Sequence, residues 1–288
     1  MDGSGPSREE LRQRAWAARC EGFAPSIGFD RPWATLPVSV TGRACSLRCA
    51  HCNGHYLAGM RTLDDPVLGK ARSLLISGGC DAQGRVPVRP HLEAILAAAA
   101  GKRLNWHVGL IDEETMRLLA PHADVVSFDF VGDDETIRAV YGLERTVADY
   151  VAVYRMIGRY VRVVPHVTVG LLGGRLQGER RALSLLRELG AEAVVFLVLI
   201  PTEGTAYASC SPPTVDEVAD LLAEARLLFP AVPLLLGCMR PGGAYRERLD
   251  VLAVQVGINR IVNPARAAVA EATRLGLTAE WGEECCAL

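Results

Sequence analysis

Short apolar, β-branched runs alternate with amphipathic stretches along almost the whole chain, and that alternation restricts the fold more than any other feature. Runs of strand character lie at 36–41, 73–77, 104–111, 124–130, 161–169, 193–199, 232–236 and 260–262. Helical periodicity fills the intervals at 91–100, 113–119, 146–158, 179–189, 215–229 and 265–275. A strand, a helix and a further strand in succession pair in parallel through a right-handed crossover. About eight such units in 288 residues fit one α/β domain, a (β/α)8 TIM-type barrel. The alternative is a six-unit partial barrel with a C-terminal extension. Residues 1–30 read as an N-terminal helical extension, and 31–288 as the barrel domain with a cysteine-containing tail.

Composition narrows the function classes. Half the residues are hydrophobic and 22% are charged, which excludes disorder as the overall state. Thirty-one basic residues face 33 acidic ones, for a net charge of -2. That balance gives no electrostatic footprint for nucleic acid or a membrane surface, so neither is expected as a partner. The longest apolar run, 193–200, is too short to span a bilayer, and residues 1–7 lack the apolar stretch of a signal peptide. A cytoplasmic location is expected. Nine cysteines are too few for a disulfide scaffold of this length. In a reducing compartment they point to metal or redox chemistry, with some plain buried thiols.

In a barrel the reaction face is built where strands end and their following loops begin. The loop after the first expected strand carries Cys45, Cys49 and Cys52 in a C-x3-C-x2-C spacing. Three thiolates so close can hold three irons of a cubane cluster and leave the fourth open to a ligand. A zinc site completed by His51 or His55 is the alternative, and it would want a fourth ligand close by.

These residues resemble the CxxxCxΦC signature of the radical S-adenosylmethionine superfamily, with His51 at Φ. The resemblance implies the radical SAM barrel, a [4Fe-4S] cluster on Cys45, Cys49 and Cys52, and S-adenosyl-L-methionine on the open iron. It implies a 5′-deoxyadenosyl radical that takes hydrogen from the substrate, and an electron donor such as ferredoxin or flavodoxin. Ser77, Gly78 and Gly79 resemble the superfamily's GGE motif, although Cys80 holds the acidic position and Asp81 follows. With His51 and Asp129 they form the expected cofactor-binding set. Asp129 ends the fourth expected strand, placed for ribose hydroxyls or substrate. His166, and less so His107, could point into the barrel.

Cys80 and Cys238 follow strands, and Cys285 and Cys286 sit in a tail able to fold over the barrel mouth beside Arg240. Together the four are candidate ligands for a second iron–sulfur cluster; inert buried thiols are the alternative. Cys20 and Cys210 stay unassigned, and the C-a-a-X ending lacks a polybasic partner. Strings such as 38–42, 52–54, 128–132 and 284–288 resemble the biotin-synthase-like branch, and within it one component of the two-protein lipoyl synthase. The resemblance implies sulfur insertion into a protein-bound octanoyl chain, an octanoylated carrier protein or small aliphatic substrate, and a second radical protein as partners. The other functions are a mutase without sulfur insertion, like the methylornithine synthase branch, and a non-catalytic cluster- or zinc-binding protein. No individual catalytic side chain is assigned from sequence.

Overall fold

A computed structural model describes residues 7–288. Ten parallel strands form one sheet. They are β1 (Ser26–Asp30), β2 (Thr35–Ser39), β3 (Ser73–Ser77), β4 (Arg103–Trp106), β5 (Val125–Asp129), β6 (Val163–Val169), β7 (Val194–Val198), β8 (Leu234–Leu236), β9 (Arg260–Val262) and β10 (Thr278–Gly282). From β2 to β9 each strand pairs with the next in chain order; β1 then pairs with β9, and β10 pairs with β1. The result is a (β/α) barrel whose ribbon stays unpaired between β2 and β10.

All eight expected strands are present, β4 shorter than its apolar run because the chain leaves the sheet at His107. The seam strands β1 and β10 were missed. In β10 the burial pattern is mostly exposed, so it carries no apolar run to read. The expected division at residue 30 also shifts: 26–30 is a sheet strand, and only 8–22 of that region is helical. Residues 1–6 lie outside the described part.

The helices are α1 (Arg8–Gly22), α2 (Leu92–Ala98), α3 (Glu113–Leu119), α4 (Asp134–Thr136), α5 (Val147–Gly158), α6 (Glu179–Glu188), α7 (Val215–Leu228), α8 (Gly243–Gln255) and α9 (Arg266–Arg274). A π-helix at Ile137–Tyr141 continues α4. Local chemistry starts the long ones. In α7 the Thr214 hydroxyl accepts from Glu217 N–H, and the Glu217 carboxylate accepts from Thr214. Ser7 and Glu10 do the same for α1, whose Arg12 binds Asp216 and Asp220 on α7 at 3.0 and 2.9 Å. Among the described residues no helix is long and apolar enough to cross a membrane.

The apolar core lies between sheet and helices. A second, smaller apolar group fills the barrel interior near the strand starts, where Val125, Val164, Val195 and Leu235 surround Ala287. The tail is therefore not over the mouth, as expected, but enters from the opposite end. The reason is the stagger of the sheet. It brings the end of β10 beside the start of β2, where Ala34 N–H donates to Glu283 O and Cys285 N–H to Thr35 Oγ1 at 2.7 Å. From there the chain turns inward, and Glu283 and Glu284 pair with Arg72 and Arg103 at the rim.

Candidate active site

The loop after β2 is shaped by its backbone. Gly42 and Gly54 take positive φ, as do Arg48 and Asn53, conformations that fold the segment into consecutive tight turns. Cys52 N–H and Asn53 N–H both donate to Cys49 O, and Ser46 N–H donates to Cys80 O at 2.8 Å, tying this loop to the one after β3. Gly79 permits that approach: a Cβ there would lie 1.9 Å from Ala44 O. The Thr41 hydroxyl accepts from Gly79 N–H at 2.7 Å. On the other side, Asn53 donates to Gly204 O at 3.1 Å and Tyr56 bonds to Thr202, so the loop after β7 closes onto the cysteine loop.

Between these loops and the barrel interior lies a cavity of about 190 Å³. Cys45, Cys49, Cys52 and Cys80 line it, together with His51, Ser77, Gly78, Gly79 and Asp129, so the whole expected cofactor set is gathered here. Phe128, Tyr141 and Tyr150 supply an aromatic wall. Sequence reading missed the two tyrosines. The only local signal belonged to Tyr141, the tyrosine–glycine pair at the end of the π-helix, where Gly142 takes positive φ.

The thiols interact without converging. Cys52 is held down at about 4, first by hydrogen bonding from Cys49 and then by His51, while the same contact and burial push Cys49 up. Burial and the neighbouring Cys45 push Cys80 up to about 12. Among the described residues no three His, Cys, Asp or Glu side chains meet as a single-ion site requires. Thiols spread around one cavity suit the separate irons of a cubane better than zinc. The buried His51 Nδ1 has no partner, leaving a polar atom free for a bound group. The donor set thus fits a cluster with a ligand beside it.

Some expected contributions are otherwise engaged. The Ser77 hydroxyl donates to His107 O at 2.8 Å. Asp81 closes its own turn, accepting from Gln83 and Arg85, so it gives the cavity no acidic side chain.

Deeper in the barrel, β5 and β6 place Asp129 opposite His166. His107 Nε2 lies 3.1 Å from Asp129 Oδ2, and the His107 and His166 rings stack at 5.9 Å with 20° between planes. Burial alone would raise the Asp129 carboxyl; the surrounding imidazoles, His107 first, outweigh it and hold it at about 2. Burial would lower His107, but Asp129 overrides that and raises it. Burial lowers His166 to about 4.

The four proposed second-cluster cysteines do not form one group. Cys80 lines the upper cavity, whereas Cys238, exposed in the turn after β8, lies within electrostatic reach of Cys285 and Cys286 on the tail. Asn105 donates to Cys285 Sγ at 3.4 Å. Arg240 is fully buried in a two-pronged pair with Asp250 at 2.7 and 2.8 Å and donates to Gly237 O. It secures the turn after β8 and is not free for a cluster.

No protein-family profile matches the sequence, and no curated protein matches it. The fold does resemble solved structures. Methylornithine synthase aligns with a TM-score of 0.68 at 14% identity, over 97% of this chain and 91% of that one. The FeFe-hydrogenase maturase HydG from Carboxydothermus hydrogenoformans gives 0.68 at 13% identity, over 97% of this chain and 73% of that one. The HMG-CoA lyase from Brucella melitensis gives 0.54 at 13% identity, over 91% and 94%. Identities this low establish the shared fold, and one fold hosts many chemistries, so the reaction has to be argued from the site.

Proposed function

We propose that this protein is a radical S-adenosylmethionine enzyme. One observation carries the reading: Cys45, Cys49 and Cys52 share a loop at the C-terminal end of a barrel strand and line the same cavity as Ser77, Gly78, Gly79 and Asp129. The fold held in common with methylornithine synthase and HydG supports it. When bound, a [4Fe-4S] cluster would pass one electron to S-adenosylmethionine and so supply a 5′-deoxyadenosyl radical. The three thiolates hold the cluster. Backbone carbonyls around Gly78 and Gly79 take the amino group, and the unpartnered His51 Nδ1 receives a polar atom on the nucleoside side. Phe128, Tyr141 and Tyr150 keep water from the reacting carbon, which protects a radical from quenching. A low-potential donor such as ferredoxin or flavodoxin supplies the electron.

The second reading is sulfur insertion into an aliphatic chain, such as a carrier-bound octanoyl group. The nearness of Cys238, Cys285 and Cys286 inside the barrel favours it.

The test is anaerobic reconstitution with iron and sulfide, reduction, and assay for 5′-deoxyadenosine and methionine. Formation of both, lost in Cys45→Ser, is expected. A protein that retains a reduced cluster but cleaves no S-adenosylmethionine would overturn the proposal.

A further inference from the structure

The upper barrel interior is polar in a way that removal of hydrogen from a plain methylene does not require. His107, Asp129 and His166 form a connected group directly beneath the thiol cavity, and His107 and Asp129 belong to its lining. Asp129 occupies one ring nitrogen of His107. The other, Nδ1, has no hydrogen-bond partner among the described residues, although about a third of the side chain (31%) remains accessible. The stacked His166 covers one face of the ring and limits its rotation. The Ser77 hydroxyl fixes the backbone from which the ring projects. A ring so oriented, with one acceptor nitrogen left open, is built to meet something in the cavity.

Below Asn105 the tail enters the interior, where Ala287 is fully buried among Val125, Val164, Val195 and Leu235. A second cavity opens around the tail at the strand-start end, so the open volume beside the thiols is the part that lies against the polar layer.

Resting on the radical reading above, we propose that His107 is a catalytic residue whose Nδ1 accepts a hydrogen bond from a hydroxyl on the substrate's reacting carbon, so that the substrate is a small hydroxylated molecule rather than a bare hydrocarbon chain. Asp129 is the positioning residue: its carboxylate accepts from Nε2–H and so holds His107 in the tautomer with Nδ1 free to accept. The role is binding and orientation of the C–H bond to be broken, and no atom is transferred to the imidazole.

A matched pair of probes, 2-hydroxybutyrate and butyrate, differs by one hydroxyl on the reacting carbon. The reconstituted full-length protein is incubated with each, and His107 carbethoxylation by diethyl pyrocarbonate is mapped by mass spectrometry. 2-Hydroxybutyrate is expected to protect His107 at roughly tenfold lower concentration than butyrate, the worth of one hydrogen bond of about 1.4 kcal/mol. The same preference is expected in the 5′-deoxyadenosine release that each probe stimulates. His107→Asn, whose amide overlays Nδ1, should retain much of that preference, and His107→Ala should lose it. Asp129→Asn should weaken it while leaving His107 present for mapping. Equal protection by both probes, protection by neither, or an undiminished preference in His107→Ala would overturn the proposal. Failure of S-adenosylmethionine cleavage alone would overturn only the radical reading, because protection of His107 is measured independently of turnover.

Discussion

Two groups of thiols share this barrel and are treated in opposite ways. The upper group, Cys45, Cys49, Cys52 and Cys80, sits on loops bent by positive-φ residues and opens into a cavity. The lower group joins Cys238, exposed in the turn after β8, to Cys285 and Cys286 on the tail that enters from the strand-start end. Around the upper thiols the polar partners are mobile-proton groups, imidazoles and a carboxylate. Around the lower ones they are a buried structural ion pair and rim salt bridges. Sequence proximity to a strand end is the same for Cys80 and Cys238. What differs is the company: Cys80 faces the other loop thiols, whereas Cys238, itself exposed, follows a turn secured by the Arg240–Asp250 pair.

The sharpest test of this contrast is substitution by serine. Cys49→Ser should abolish cluster absorption and S-adenosylmethionine cleavage. Cys286→Ser should leave the iron and sulfide content of the reconstituted protein unchanged. A fall in iron content in the second variant would place a cluster in the lower group and erase the distinction.

Next in size is the ion pair behind Cys238. Asp250→Ala strands the buried Arg240 guanidinium and should cost about 3–5 kcal/mol in urea denaturation. A loss below 1 kcal/mol would mean that water reaches Arg240. Ala287→Leu should then cost about 1–3 kcal/mol through overpacking of the closed end, measured the same way. No loss would show that the tail does not occupy the interior.

The smallest effect is one of pH. Asp129 is depressed from 3.8 to about 2, so its contribution to stability is present above 3.8 and fades as pH falls toward 2. His107 is raised above 6.5, so its contribution is full below 6.5 and fades as pH rises through the elevated value. The pair should therefore stabilise most between about 4 and 6.5. The Tm difference between wild type and Asp129→Asn should peak there and shrink on either side. A difference independent of pH would show that the pair carries no net proton linkage.

Much of the site was legible because its residues are adjacent in sequence. Cys45, Cys49 and Cys52 lie within one loop, so spacing and a strand end sufficed to find them; His51 and Ser77 to Gly79 were found through the resemblance of their short motifs to the radical SAM superfamily. Tyr141 reaches the cavity from the end of the π-helix and Tyr150 from α5, whose local pattern looks like any amphipathic segment, and only packing brings them together. Asp81, which follows Cys80 at the acidic position of the motif, satisfies its own turn and does not point inward.

The sequence by itself determined the parallel α/β architecture and the three-thiol loop, because periodicity and short-range spacing are local properties of a chain. Only the tertiary structure decided the fate of the tail, the separation of Cys80 from Cys238, Cys285 and Cys286, and the pairing of His107 with Asp129. Those depend on the stagger of ten strands and on which interior volume is already filled, and neither is written in any short stretch of residues.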